Sequence, residues 1–125
     1  MSIKVTRGDT SYKSFKYLDK DKNPIKISET AVIKMTVKKD IDGEKLFSKE
    51  IKAINYNDET NEYSYVILPE ETENVKMFGK KEIVYKYDYQ FEDIIDGIKV
   101  VETIGKGDFV ILYDITTPEK EITNE

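Results

Sequence analysis

Cysteine, histidine and tryptophan are all missing from this chain of 125 residues. The lack of cysteine excludes a disulfide framework and thiol catalysis, and the lack of histidine removes the commonest general base and zinc ligand. No apolar run approaches the ~20 residues that a membrane-spanning helix needs. The first ten residues, MSIKVTRGDT, also lack the apolar stretch of a secretory signal. We therefore expect no membrane insertion and synthesis as a soluble cytoplasmic protein.

A surplus of positive charge is missing as well. The chain has 20 lysines and arginines against 25 aspartates and glutamates, which gives a net charge of −5. Nucleic-acid binding needs a basic stripe that neutralises phosphates, and here lysine and glutamate alternate along the chain. This composition argues against a nucleic-acid partner.

What the sequence does contain is alternation of apolar and polar residues. The clearest case lies in residues 83–91, where every second position is apolar or aromatic: Ile83, Tyr85, Tyr87, Tyr89 and Phe91. Successive side chains of a strand point to opposite faces, so this run predicts a strand with one aromatic core face and one largely polar face. We expect the rest of the chain to be organised around this strand.

Similar short segments occur along the whole chain, separated by turn residues. Strands are predicted over residues 3–6, 12–18, 25–27, 30–39, 45–54, 62–68, 98–104 and 108–115. Asp96-Gly97 and Gly105-Lys106-Gly107 are predicted turns, and residues 70–77 one short helical turn that begins after Pro69. The last strand is apolar on both faces, which indicates a central or covered position.

This pattern predicts an all-β protein. Turn signals every ~8–12 residues are typical of an antiparallel, immunoglobulin-like β-sandwich, here of about seven to nine strands. We assign residues 1–117 to this domain and residues 118–125 to a charged, flexible tail.

Two short motifs suggest binding sites but have simpler interpretations. Asp19-x-Asp21-x-Asn23 resembles the start of a calcium loop, yet Pro24 and Thr30 stand where an EF-hand needs glycine and glutamate. Arg7-Gly8-Asp9 matches a cell-adhesion tripeptide, which three residues often do by chance. We expect a solvated turn at residues 19–23, and at residues 7–9 a turn in which Gly8 relaxes the backbone.

Nothing in the sequence predicts catalysis. Gly105-Lys106-Gly107-Asp108 lacks the spacing of a phosphate-binding loop and precedes a strand. Glu70, Glu71 and Glu73 cluster where acids are expected at a helix start. We therefore expect no enzyme, no cofactor and no metal.

Six motifs carry a resemblance to a known family. In the second half these are Leu68-Pro-Glu-Glu-Thr72, Tyr87-Asp-Tyr-Gln-Phe91 and Gly107-Asp-Phe-Val-Ile-Leu-Tyr-Asp114-Ile-Thr116. In the first half they are Arg7-Gly-Asp-Thr10, Asn23-Pro-Ile25 and Ile33-x-Met-Thr-Val-Lys-Lys-Asp40. Residues 3–117 thereby resemble a β-sandwich domain of phage tail and baseplate proteins, similar to the N-terminal domain of phage baseplate upper protein. The segment from Gly79 to Tyr85 is longer than the Gly-x-Tyr of that family.

The resemblance implies a non-enzymatic structural protein of a virion tail, a baseplate or a phage-tail-like particle. Its partners would be other virion or tail proteins, including further copies of itself. The composition, rich in lysine and isoleucine, suits a low-GC Gram-positive host.

Edge strands and apolar second faces are the candidate contact elements, because an exposed edge can add to the sheet of a partner. The predicted interface residues are Ile3, Val5, Ile25, Ile27, Val110, Leu112 and Tyr113. The alternative function is a carbohydrate- or cell-surface-binding module, which would need an exposed aromatic platform.

Overall fold

The computed structural model describes residues 2–40 and 42–115. Within these residues the chain forms eight strands, one α-helical turn and one 3-10 turn. Their bounds are β1 (Ser2–Thr6), β2 (Ser11–Phe15), β3 (Val32–Lys38), β4 (Lys45–Ile51), the 3-10 turn (Ala53–Asn55), β5 (Tyr56–Asn57), β6 (Glu62–Ile67), α1 (Pro69–Thr72), β7 (Glu82–Ile95) and β8 (Ile98–Leu112). The predicted tail, residues 118–125, lies outside the described residues.

The strands form two sheets that enclose one core, so the predicted all-β sandwich is confirmed. The larger sheet has the order β1-β8-β7-β3-β4, and the smaller has the order β2-β6-β5. All neighbours are antiparallel except β1 and β8, which run parallel from Ser2 opposite Asp108 to Thr6 opposite Leu112. The expectation of a wholly antiparallel sandwich is wrong at this pair. Parallel strands need a long connection, and here most of the domain lies between the two strands.

The strand predicted from alternation is the middle strand of the larger sheet. The side chains of Tyr87 and Tyr89 are buried in the core, and Ile83, Tyr85 and Phe91 are half-buried and pack against it. Lys86 and Asp88 point to the outer face, which is the polar face that the sequence predicts.

Aromatic side chains join the two sheets. Phe15 on β2 stacks on Tyr89 of β7 with ring centroids 4.2 Å apart, and on Tyr63 of β6 at 5.5 Å. The hydroxyls of Tyr65 and Tyr89 form a buried hydrogen bond of 2.8 Å between β6 and β7. These contacts combine apolar burial with the hydrogen bond that a buried phenol needs.

The predicted turn at residues 105–107 is wrong, because β8 continues through both glycines. Tyr89 pairs with Gly105 and Gln90 with Thr103, so Ile104 is the extra residue of a β-bulge. A β-carbon on Gly105 would lie 3.3 Å from Cδ2 of Tyr89. The glycine therefore permits close approach of a tyrosine ring and does not reverse the chain.

The predicted helical turn is present but shorter than expected. It covers only Pro69–Thr72, with Pro69 in the first turn as the sequence indicates. Glu71 Oε1 accepts a hydrogen bond of 2.8 Å from the Leu68 amide and lies 2.7 Å from Lys49 Nζ. The turn is thereby fixed to β4, and residues 73–77 follow as irregular structure.

Candidate assembly surface

The β7–β8 hairpin projects beyond the rest of its sheet. On one side, β3 pairs with β7 only as far as Glu92. On the other side, β1 pairs with β8 only from Asp108 onward. Residues 91–102, which we call the arm, pair with β3 only at Phe91 and Glu92. Beyond them the hairpin is a two-stranded ribbon closed by Asp96-Gly97, both with positive φ. The turn predicted at Asp96-Gly97 is confirmed.

The arm exposes aliphatic side chains on both of its faces. Pairing places Ile95 directly opposite Ile98 on the face that continues the core side. Ile94 lies on the outer face together with Val101, which pairs with Glu92. Ile94 is 68% and Ile98 66% exposed, and Ile95 and Val101 are about half exposed. Two strands cannot bury apolar side chains on both faces, so the tip of the arm is an unsatisfied apolar surface.

Polar contacts fix the base of the arm to the sandwich. Asp93 accepts hydrogen bonds from Thr30 Oγ1 at 2.9 Å, from Ser28 Oγ at 3.2 Å and from the Ile94 amide at 2.7 Å. Desolvation alone would raise the pKa of Asp93, but these hydrogen bonds outweigh it and lower the pKa below the usual value. Asp93 therefore stays ionised and holds the arm in a defined direction.

A second exposed apolar feature lies at the opposite end of β7. Residues 76–81, which we call the basic turn, contain three lysines and no carboxylate. Phe78 and Gly79 both have positive φ, and the Lys80 amide donates a hydrogen bond of 2.9 Å to the Met77 carbonyl. The Phe78 side chain is 78% exposed. A bulky residue rarely adopts positive φ, so the turn displays an aromatic side chain at the expense of backbone strain.

One edge of β8 has no neighbouring strand over the first part of the strand. In the described residues no strand lies beside residues 98–107 on that side, because β1 begins opposite Asp108. Unpaired amides and carbonyls along an edge can bind an extended segment of another chain. The edge continues from the arm towards β1 and adds main-chain groups to the apolar tip.

The outer face of the larger sheet carries an open groove of about 630 Å³. Its charged residues alternate in sign: Lys38, Lys86 and Lys106 against Asp40, Asp88 and Asp108. Lys86 Nζ lies 2.6 Å from Asp108 Oδ1. Desolvation raises the pKa of Asp88, and Lys38 partly offsets the shift. The charges of the groove balance, unlike those of the arm.

The predicted interface residues of β1 and β8 are mostly turned inward. Val5 and Val110 are buried, Ile3 packs against the core, and Leu112 is half-buried. Only Tyr113 is exposed at about half of its surface. The prediction that the last strand is central is confirmed, because β8 lies between β1 and β7. At Val5 and Val110 the accessible groups are therefore the main chain and the neighbouring side chains.

The predicted interface residues Ile25 and Ile27 lie in an irregular segment, outside the named strands. The Tyr63 hydroxyl donates to the Ile25 carbonyl at 2.7 Å and accepts from the Ile27 amide at 2.9 Å. Ile27 is buried and Ile25 half-buried. One core tyrosine thus satisfies the backbone of this segment, which is not a free strand edge.

The buried position of Arg7 is incompatible with a cell-adhesion role for residues 7–9. Arg7 is 2% exposed, and its Nε donates to Asp114 Oδ1 at 2.6 Å while Nη1 donates to the Val75 carbonyl at 2.6 Å. Gly8 has a φ of 79°, which its lack of a side chain permits. The triplet is a structural corner that connects β1 to the end of β8.

The calcium-like segment also forms a simple turn. Asp19 Oδ1 accepts hydrogen bonds from the amides of Asp21 at 2.8 Å and Asn23 at 2.9 Å. Residues 2–40 and 42–115 contain no group of three or more acidic side chains that could hold a metal ion. The carboxylate is used by the backbone, as is common for aspartate in turns.

Our sequence analysis missed the arm and Phe78. The signal for the arm was present, because Ile94, Ile95 and Ile98 flank the Asp96-Gly97 turn and nothing in the pattern supplied strands to cover them. In both cases the sequence gives apolar character and leaves the neighbours unknown.

No protein-family model and no curated protein matches the chain. None of the helices in the described part of the chain is long and apolar enough to cross a membrane. The candidate surface is therefore interpreted from its own geometry.

Proposed function

We propose that this chain is a non-enzymatic building block or adaptor of a phage tail, a baseplate or a phage-tail-like particle, and that it works by contacting neighbouring subunits. The phage assignment rests on the sequence motifs of residues 3–117. The assembly role rests on one observation, the arm with aliphatic side chains exposed on both faces.

The arm supports assembly because its apolar tip gains most when another protein surrounds it. Ile94 and Ile98 are each about two-thirds exposed, and full burial of such a side chain contributes about 1.5–3 kcal/mol. The tip lies on a ribbon whose base is anchored through Asp93. An anchored ribbon loses little conformational freedom on binding, which favours affinity.

The unpaired edge of β8 supports the same role. A subunit that places a strand beside residues 98–107 would hydrogen-bond to the main chain while it packs against the arm. This mode of recognition depends on backbone groups for affinity and on alternate side chains for specificity. The polar, charge-balanced outer face remains compatible with a subunit that is soluble before assembly.

The test is to mix the purified chain with the neighbouring gene products of its own locus and to measure mass by light scattering. We expect the chain to enter a defined complex with a tail or baseplate protein. The variant Ile94→Thr/Ile98→Thr keeps strand-forming side chains at the tip but removes apolar area, and we expect it to stay out of the complex.

Ile54→Thr is the matched control, because Ile54 is 90% exposed and lies in the 3-10 turn, outside the arm. We expect this control to bind like the unaltered chain and all variants to keep the same melting temperature. A complex that forms equally well with the arm variant would contradict the assembly role of the arm.

A second candidate function is a carbohydrate- or cell-surface-binding module. One observation favours it, the groove with its hydroxyl, amide and carboxylate side chains from Thr36, Gln90 and Asp88. The adjoining Tyr87 is buried on the core side and supplies no aromatic platform to this groove. Retention of the chain on host cell walls, with loss of retention in Asp88→Asn/Gln90→Ala and not in the arm variant, would favour this second function.

A further inference from the structure

We propose that copies of this chain associate head to tail, with the arm of one copy on the basic turn of the next. The inference rests on the proposed assembly function and names a partner for the arm, a second copy of the same chain. It rests on two exposed apolar features that the fold places at opposite ends of one strand. The charged residues around one feature are acidic, and those around the other are basic.

The arm is acidic around its apolar tip. Residues 91–102 contain four carboxylates, Glu92, Asp93, Asp96 and Glu102, against the single Lys99. Three of these acids have internal contacts: Asp93 accepts from Ser28 and Thr30, Glu92 lies 3.7 Å from Lys34, and Glu102 accepts from the Tyr17 hydroxyl at 3.4 Å. Asp96 lies at the turn itself, next to the exposed isoleucines. A partner for this tip should therefore offer apolar surface together with positive charge.

The basic turn offers both. Three exposed lysines lie on either side of Phe78 along the chain: Lys76, Lys80 and Lys81. The exposed Val84 follows on β7. Glu82 is the nearest carboxylate along the chain. Within residues 2–40 and 42–115 the Phe78 side chain lies outside the core, and a strained φ at such an exposed aromatic indicates a site kept for contact. The turn thus offers apolar side chains, as the arm does, and its charge is opposite in sign to that of the arm.

The two features cannot meet within one molecule. The basic turn immediately precedes β7 and the arm ends it, and β7 is 14 residues long. At about 3.3 Å per residue the strand separates them by roughly 40 Å. A contact between them must therefore join two copies through different surfaces. Repeated contacts of this kind generate a ring when the rotation closes and a filament when it does not.

The first experiment measures self-association of the full chain by sedimentation velocity as a function of concentration and salt. We expect mass to rise with concentration and association to weaken from 0.01 M to 1 M ionic strength, as the screening length falls from about 30 Å to about 3 Å. Lys80→Glu/Lys81→Glu should weaken association about tenfold or more. Ile54→Thr, which lies outside both features, should leave it unchanged.

Complementation distinguishes a head-to-tail contact from a symmetric one. The arm variant Ile94→Thr/Ile98→Thr keeps an intact basic turn, and the turn variant Phe78→Asn keeps an intact arm. Each alone should remain monomeric, and an equimolar mixture should form a dimer that grows no further. An arm-to-arm contact would instead let Phe78→Asn dimerise on its own, because its arm is intact, and that result would overturn the proposal.

Crosslinking gives a direct readout, because the chain contains no cysteine that would compete. Lys99→Cys places a thiol on the arm and Lys76→Cys places one at the basic turn, and both substitutions keep the apolar residues. A short thiol-specific crosslinker should join the two variants when they are mixed. Lys99→Cys alone should give no dimer, and neither should a mixture of Lys99→Cys with Ile54→Cys.

A chain that stays monomeric at every concentration and salt would overturn head-to-tail association. If the same monomer still joins a neighbouring tail or baseplate protein through its arm, the proposed assembly function stands and only the identity of the partner is wrong. If it joins neither itself nor those proteins, both proposals fail.

Discussion

The hydroxyls of Tyr65 and Tyr89 lie 2.8 Å apart in the core and join the smaller sheet to the larger one. Each hydroxyl is a hydrogen-bond partner of the other, and both phenols are buried. Across this contact the two sheets are held by a directional bond as well as by apolar packing.

Removing both of these hydroxyls should cost less than the sum of the two single removals. Tyr65→Phe or Tyr89→Phe leaves a buried hydroxyl without its partner, and we expect a loss of about 1–3 kcal/mol in the free energy of unfolding. The double variant removes both polar atoms, so its loss should be smaller than the sum of the single losses. Urea denaturation measures all three, with Tyr12→Phe as a control because Tyr12 is 83% exposed. Additive losses would show that the two hydroxyls are not coupled.

Stability should fall at alkaline pH. Burial raises the pKa of Tyr65 to about 12, and it raises the pKa of Tyr89 as well. An unfolded tyrosine ionises near pH 10, so between pH 10 and pH 12 the unfolded state binds fewer protons than the folded state and gains stability relative to it. The stabilising contribution is complete below pH 10 and is lost as pH rises through the folded pKa.

The measurement is the urea midpoint at a series of pH values from 8 to 12. Tyr65→Phe/Tyr89→Phe should show a shallower decline than the unaltered chain. Some decline should remain, because burial also raises the pKa of Tyr85 and Tyr87. An unchanged slope in the double variant would show that other groups cause the alkaline loss.

The corner at Arg7 should be a major source of stability. Asp114→Ala leaves the guanidinium of Arg7 buried without the carboxylate 2.6 Å away, and such a loss typically costs about 3–5 kcal/mol. The matched control is Asp108→Ala, which breaks the half-exposed pair with Lys86 and should cost less than about 1 kcal/mol. Thermal and urea unfolding compare the two variants. Equal losses would show that burial of the Arg7 pair is of no consequence.

Relief of the strained turn should separate stability from assembly. Phe78→Asn places a residue that tolerates positive φ at an exposed position, and we expect a gain of about 0.5–1 kcal/mol in the free energy of unfolding. The same substitution should abolish head-to-tail association. Tyr12→Asn, at an exposed position outside the turn, is the control for loss of an aromatic. Destabilisation by Phe78→Asn would mean that the ring stabilises the monomer.

The glycine at the bulge should resist substitution. Even a β-carbon at position 105 would lie 3.3 Å from the Tyr89 ring, and Gly105→Val adds further side-chain atoms there. Overpacking of this kind costs about 1–3 kcal/mol. Lys106→Val is the control, since it adds a β-branched residue at the neighbouring exposed position. A neutral Gly105→Val would show that the ring moves aside.

The alternating pattern was sufficient for the sheet interiors. Tyr87, Tyr89 and Ile33 are buried where period-two spacing predicts. It was insufficient at residues 105–107, because glycine that accommodates a ring on the neighbouring strand and glycine that reverses the chain look alike in one sequence. Which of them applies depends on Tyr89, a residue 16 positions earlier and on another strand.

The candidate surface was predictable only in part. Edge strands were expected at residues 3–6 and 25–27, but the Tyr63 hydroxyl occupies the second of these and no local pattern encodes that contact. The arm follows from where β3 and β1 stop pairing, which is set by the register of distant strands. Sequence spacing shows that Ile94 and Ile98 are apolar, and only the pairing shows that nothing in the described fold covers them.

The parallel pairing of β1 with β8 has a consequence for how the chain folds. Arg7 and Asp114 are 107 positions apart, so the first strand has no sheet partner until nearly the whole chain has left the ribosome. Contacts of such long range close slowly, because the entropy of a large loop must be lost before they form. We expect β1 to dock last, so that substitutions in it mainly speed unfolding and leave the folding rate unchanged. Under the proposed assembly function, a newly made copy would complete its β1–β8 edge only at the final step of its own folding.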